Sequence, residues 1–264
     1  MERERIDVML VGQGLAESRS KAQALIMAGQ VRVDGKVVDK PGTRLPTNVE
    51  IIVDAGIPYV SRGGFKLRRA LDLFPVKVAG RICLDAGAST GGFTDCLLQE
   101  GAKQVIAVDV GYGQLAWKLR QDPRVVVMEK TNVRYLTPEQ LPALPSLLTA
   151  DLSFISIAKV LSVFTTLLTA DGEIIALIKP QFEAGRAQVG KKGVVRSSAV
   201  HVEVLQRVLA LGQAADLGCL GLTYSPVLGP EGNIEFLVYW KKGAPDQSDV
   251  DPEAVVTEAW EHLK

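Results

Sequence analysis

Seven short apolar runs fill residues 81 to 242, and they restrict what this chain can fold into more than any other feature. They read RICLDAG, QVIAVDV, RVVVM, SLLTADLSF, EIIALIKP, CLGLTYSP and EFLVYW. Helical stretches such as GFTDCLLQEG, YGQLAWKLRQ and AVHVEVLQRVLALGQ lie between most of them. Strands that alternate with helices imply a parallel sheet covered on both faces. The expected class is therefore α/β, with a doubly wound, Rossmann-like sheet. No clear helix separates the last two runs, so they are expected to form an antiparallel edge pair. Ligands in such folds bind beyond the carboxyl ends of the strands, where chain order reverses.

A different pattern precedes the sheet. In SRSKAQALIMAGQ the apolar residues Ala22, Leu25, Ile26 and Ala28 recur at helical spacing after a Ser18/Ser20 cap signal, with Gly29 as the stop. Asp34-Gly35 sits between valines in VRVDGKVV, a hairpin signal. VEIIVD reads as one more strand. Residues 1–55 are thus expected to form a small α+β domain, with 56–64 as a linker whose Gly63-Gly64 pair allows reorientation. Residues 65–242 then hold the sheet, and 243–264 form an acidic C-terminal tail.

Charge divides along the same lines. The formal net charge is zero, yet residues 1–80 hold 13 Lys/Arg against 9 Asp/Glu. The last 22 residues hold 1 against 6. A basic front end fits a polyanionic partner as well as it fits a solvated surface. No apolar stretch approaches the roughly 20 residues needed to span a bilayer. The N-terminus lacks a signal-peptide core, and a cytoplasmic location is expected. Cys83, Cys96 and Cys219 are widely spaced, which gives neither a zinc motif nor a disulfide framework. With only His201 and His262 available, chemistry is expected to rest on Lys, Asp, Glu or Tyr.

The first strand runs into DAGASTGGFTDCLL, residues 85–98, whose glycines do not form GxGxxG. That absence argues against an NAD-dependent enzyme, because the motif brings a helix N-terminus against pyrophosphate. A carboxylate at the strand end followed by small residues suits S-adenosylmethionine, which carries no phosphate. Asp85, Gly87, Ser89, Thr90, Gly91, Gly92 and Phe93 are the expected contacts in this loop. Asp109 ends the second strand 24 residues after Asp85, in place to take the ribose hydroxyls. Thr131-Asn132, after the third strand, are the expected adenine contacts.

Four further residues are expected at the same edge: Lys66 in SRGGFKL, Asp151 after SLLTA, Lys179 after IIALI, and Glu235 opening the last strand. Taken singly, each is explained by a surface ion pair. Taken together, two amines and two acids match methyl transfer to a hydroxyl. That reaction needs an aligned acceptor and a group to receive its proton. A lysine serves as base once its environment favours the neutral amine; a charged lysine stabilises a developing alkoxide instead. The sequence does not choose between these. A hard-cation site would gather carboxylates rather than lysines, so no metal is expected.

The ordered set Lys66, Asp151, Lys179, Glu235 resembles the K-D-K-E tetrad of the FtsJ-like ribose 2′-O-methyltransferases. SRGGFKL, DAGASTGGFTDCLL, ADLSFIS, LIKPQFE and GNIEF resemble the TlyA family in particular, and the front segment is similar to an S-four-type RNA-binding domain. The likeness covers residues 3 to 242. It implies S-adenosylmethionine-dependent 2′-O-methylation of a ribose, cytidine in that family, in ribosomal RNA, with ribosomal RNA or a ribosomal subunit as partner and no membrane. Arg3, Arg5, Arg19, Lys21, Arg32, Lys36, Arg44, Arg62 and Arg68 are the candidate phosphate contacts. Members often carry the name hemolysin, so a membrane-active protein without enzymatic activity is the alternative. It would need an amphipathic or spanning helix.

Overall fold

The computed structural model describes residues 3–27, 30–53, 58–247 and 249–263. The chain divides into two compact units, Met1–Pro58 and Tyr59–Lys264.

In the first unit the elements are β1 (Arg3–Arg5), α1 (Ile6–Gly12), α2 (Arg19–Met27), β2 (Val31–Val33), β3 (Lys36–Val37), β4 (Arg44–Pro46) and β5 (Ile51–Val53). Two small antiparallel sheets form, β1–β4 and β3–β2–β5. The Asp34-Gly35 hairpin is present, with φ of 47° and 78°, the positive pair that a two-residue turn matching strand twist requires. Ser18 Oγ accepts from Lys21 N at 3.2 Å and so caps α2. Ala22 and Ile26 are buried with Ile6, Leu10 and Val31. The expected Ala28-Gly29 stop and residues 56–57 of the expected linker lie outside the described residues. α1 had no expectation; its seven residues are too few for a periodic signal.

The second unit contains α3 (Gly63–Leu73), β6 (Ile82–Ala86), α4 (Gly92–Gln99), β7 (Gln104–Val108), α5 (Trp117–Arg120), β8 (Val125–Met128), β9 (Leu147–Ala150), α6 (Leu161–Leu167), β10 (Glu173–Ile178), α7 (Pro180–Glu183), α8 (Ser198–Ala214), β11 (Leu217–Tyr224), β12 (Phe236–Lys242) and α9 (Pro252–Leu263). The seven-stranded sheet runs β11-β12-β10-β9-β6-β7-β8. Chain order reverses between β6 and β9, which opens a crevice at their carboxyl ends. One face packs on α3 and α4 through Leu67, Phe93 and Leu97. The other packs on α6, α8 and α9 through Phe164, Leu205 and Ala259.

Three expectations need correction, whereas the last two strands do form the expected antiparallel pair at the sheet edge, with β11 outermost. β12 lies between β11 and β10, antiparallel to both. The α8 crossover carries the chain one strand position too far, and β12 fills the gap. The helix expected over YGQLAWKLRQ shrinks to the four residues of α5. Gly111 N donates to Asp109 Oδ1 and Lys130 N to Gly111 O, so this backbone is spent on loop contacts. Residues 243–264 are not an appendage: α9 buries Val256 and Ala259 in the main core. Nor does Gly63-Gly64 act as a hinge. It opens α3, where a Cβ on Gly64 would lie 2.1 Å from the Tyr59 ring, and Gly63 lies against Gly92 of α4. Those glycines permit two helix starts to touch.

Candidate active site

The register of three strands places the reactive groups. Ala150 pairs with Ala86 on one side and Ala176 on the other, so Gly87, Asp151 and Leu177 emerge at one level. Ile178 pairs with Phe236, which sets Lys179 beside Glu235. The Lys66 amine arrives from α3 and reaches Glu235 Oε2 at 2.6 Å. It lies 3.9 Å from Asp151 Oδ2, and Lys179 Nζ is 2.6 Å from Asp151 Oδ1. Lys179 also donates to Ser153 Oγ at 3.0 Å. A continuous chain Glu235–Lys66–Asp151–Lys179 results. Lys66 and Lys179 are each 8% exposed and Glu235 is fully buried. Buried charges are tolerated only when paired, as these are. Glu235 Oε1 has no hydrogen-bond partner among the described residues and lies where a Cβ on Gly229 would stand.

Two adjoining cavities share this wall. The first, of about 470 Å³, is lined by Gly87, Ser89, Asp109, Asn132, Asp151 and Phe154, with Val108, Val133 and Leu152 as apolar surface. The second, of about 300 Å³, is lined by Arg62, Lys66, Lys179 and Gly229 among others. Gly87, Ser89, Asp151 and Ser153 belong to both. The loop after β6 can approach so closely because Gly87 has φ 84° and no Cβ; one added there would lie 2.5 Å from Asp151 O.

The expected cofactor residues do not all face the first cavity. Gly87, Ser89, Asp109 and Asn132 line it. Asp109 accepts from Ser89 N at 2.8 Å through one oxygen and from Gly111 N at 2.6 Å through the other. Each oxygen keeps lone-pair capacity for a ligand hydroxyl. Thr90, Gly92 and Phe93 line the second cavity instead, and Gly91, at φ 99° under Leu115 and Leu119, lines neither. Asp85 is a clearer correction, being fully buried. It accepts from Thr94 Oγ1 at 2.7 Å and Thr149 Oγ1 at 3.4 Å. Burial pushes its carboxyl up to about 7, against the Thr94 hydrogen bond and with help from the Asp151 charge. It braces β6 to α4 and lines neither cavity.

Several site residues lie inside ADLSFIS and LIKPQFE, with no period or turn chemistry to single them out. Phe154 lines the first cavity at φ 64° and is 90% exposed. A bulky residue rarely adopts that conformation, and it marks a strained functional loop. Glu183 holds the loop, accepting from Ser156 Oγ and Ile157 N, both at 2.7 Å, while Phe182 packs on the Phe154 ring with centroids 5.2 Å apart. Irregular loops carry no period to read.

In the first unit, Arg3, Arg19, Lys21, Arg32, Lys36 and Arg44 are exposed. Arg5 and Arg19 converge on Asp7, a fully buried carboxylate that Gln23 also contacts. Its carboxyl is held well below the usual carboxylate range, first by the Arg5 hydrogen bond. Arg62, in the second unit, lines the second cavity. Arg68 is a correction, because it is spent on Asp72 at 2.6 Å and on Glu100 and cannot serve as a free phosphate contact.

A doubly wound sheet with its order reversed beside a glycine loop, and a tetrad on the wall between two cavities, define an S-adenosylmethionine-dependent methyltransferase. Residues 59–242 match the FtsJ-like methyltransferase family and residues 4–51 match the S4 domain. The chain is 48% identical to the 16S/23S rRNA (cytidine-2′-O)-methyltransferase TlyA of Mycobacterium tuberculosis, over 93% of this chain and 92% of that one. It is 43% identical to Hemolysin A of Brachyspira hyodysenteriae, over 89% and 99% respectively. A solved structure, "Putative hemolysin from Streptococcus thermophilus", superposes with a TM-score of 0.77 at 45% identity, covering 99% of this chain and 97% of that one. The chain belongs to the TlyA family.

Proposed function

We propose that this enzyme methylates the ribose 2′-hydroxyl of a cytidine in ribosomal RNA, acting in the cytoplasm. The observation that carries the reading is the four-membered chain of amines and acids on the wall common to both cavities. The first cavity suits the cofactor. Its apolar sides fit an adenine, Asp109 ends β7 where ribose hydroxyls are taken, and the missing Cβ of Gly87 lets the donor end reach the shared wall. S-adenosylmethionine, when bound, supplies an electrophilic methyl on a positive sulfonium. The second cavity takes the acceptor nucleotide, and Arg62 at its rim meets phosphate.

Lys179 is the amine assigned to the acceptor hydroxyl. It holds the oxygen in line and, once it has given up its own extra proton, takes the hydroxyl proton as the oxygen–methyl bond forms and the sulfur–methyl bond breaks. Asp151 and Ser153 fix the direction of that amine. Lys66 and Glu235 hold Asp151 in turn from behind. The first unit grips RNA by phosphate contacts from Arg3, Lys21 and Lys36, supplying affinity rather than chemistry.

Lys179→Ala is expected to lower methyl incorporation from labelled S-adenosylmethionine by about 10²- to 10⁴-fold, with cofactor affinity retained by calorimetry. Full turnover in the variant would remove the assignment. Among the described residues no helix is long and apolar enough to cross a membrane, and no feature of the site favours the membrane-active alternative.

A further inference from the structure

The segment between α7 and α8 carries charge that neither cavity uses, and it is built. Arg186, Lys191, Lys192 and Arg196 are exposed. Among the described residues none of the four forms an ion pair, and no Asp or Glu occurs from 184 to 202. Four such cations in eleven residues leave a concentrated positive field, in a chain whose other arginines are largely matched to carboxylates.

The tip is fixed and not trailing. Gly190 N donates to Val194 O at 3.0 Å and Gly193 N to Gly190 O at 2.8 Å, closing a tight turn with Lys191 and Lys192 at its apex. Gly193 supplies the positive φ of 71° that the turn needs. Val194 and Val195 are buried behind it. One side chain ties this turn to the acceptor wall. Asn233, 2% exposed, accepts from Val195 N at 3.1 Å and donates to Gly193 O at 2.9 Å. Its backbone carbonyl accepts from Gly229 N at 2.9 Å, and Gly229 lines the second cavity. Two residues further on stands Glu235.

We infer that the Lys191-Lys192 turn is a second RNA grip, on the methyltransferase unit, which binds backbone phosphates flanking the acceptor nucleotide and is held in register with the acceptor cavity by Asn233. The inference rests on the reading of the enzyme as an RNA methyltransferase and adds a site to it. A pinned pair of cations loses less entropy on binding than a free loop would. Strand-flanking phosphates are the ligands such a pair meets without reading sequence.

The test compares full-length wild type with K191Q/K192Q and K191E/K192E, using in-vitro-transcribed full-length small- and large-subunit ribosomal RNA. Filter binding across salt gives the slope of log affinity against log salt, and tritiated S-adenosylmethionine gives 2′-O-methyl incorporation. The glutamine pair is expected to weaken RNA binding several-fold and reduce the slope by about 1 to 2. The glutamate pair should weaken it further, and KM for RNA should rise with kcat held. Cofactor affinity by calorimetry, unchanged in both, shows that they are folded. Wild-type slope and KM in both variants would overturn the grip alone. Failure of the wild-type enzyme to methylate any ribosomal RNA would overturn the functional reading beneath it.

Discussion

At the scale of single residues, burial decides which polar groups do chemistry and which only brace. Asp85 lies at the end of β6 and Asp151 just past β9 in the same sheet, and the sequence offers both as site residues. Asp85 is closed off behind Thr94 and Thr149, whereas Asp151 keeps 22% of its side chain open to the shared wall. The folded Asp85 carboxyl titrates near 7, well above an ordinary aspartate. Its proton is therefore held in the folded state where the unfolded chain has lost it. Its contribution to stability is complete below about pH 4, and it is lost as pH rises through about 7. Asp85→Asn keeps an acceptor for Thr94 and removes the titration. Urea unfolding of the variant between those limits should show a flatter pH dependence than the wild type. An unchanged decline would place the titrating group elsewhere.

At the scale of elements, short irregular segments hold the site and long regular ones hold the segments. α7 is a single turn, yet it carries Lys179 at its start and Glu183 at its end. Glu183 clamps the Ser156–Ile157 backbone, and with it the strained Phe154 beside the first cavity. Glu183→Ala frees that loop while Lys179 and Asp151 keep their pairing. The expected result is a KM for S-adenosylmethionine raised about tenfold, the worth of one charge-assisted hydrogen bond, with kcat lowered less. Glu183→Gln, which retains an acceptor, should recover part of the loss. Equal effects on kcat in both variants would instead mean that Glu183 acts on the chemistry. α9 shows the converse. Its acidic composition reads as a solvated end, but Val256 and Ala259 sit on one stripe in the main core with Leu205 of α8 and Cys219 of β11. Tyr224 Oη and Glu258 meet at 3.2 Å along the same seam.

At the scale of the whole molecule, the two units carry different groups. The first unit holds exposed cations and no cavity of the site, and the second holds the tetrad and both cavities. Replacing Arg3, Lys21 and Lys36 together by Gln should weaken ribosomal RNA binding and reduce its salt slope by about 1 for each phosphate left without its cation. Cofactor affinity should not change. A salt slope equal to the wild type would assign those side chains to solvation alone.

The sequence by itself determined the class of the second unit, the hairpin of the first, and the identities of the four tetrad residues. The first two rest on a local code, the alternation of strand and helix or a turn dipeptide; in the tetrad, Asp151 and Lys179 end apolar runs, while Lys66 and Glu235 join them through the family resemblance. Only tertiary structure decided what each polar residue faces. Whether Asp85 or Asp151 faces a cavity, and whether Arg68 is free, depends on partners such as Thr149 and Glu100 that the fold brings near. So do the insertion of β12 between β10 and β11 and the burial of α9. Strand register and helix packing bring those partners together, and neither leaves a period in the chain that carries it.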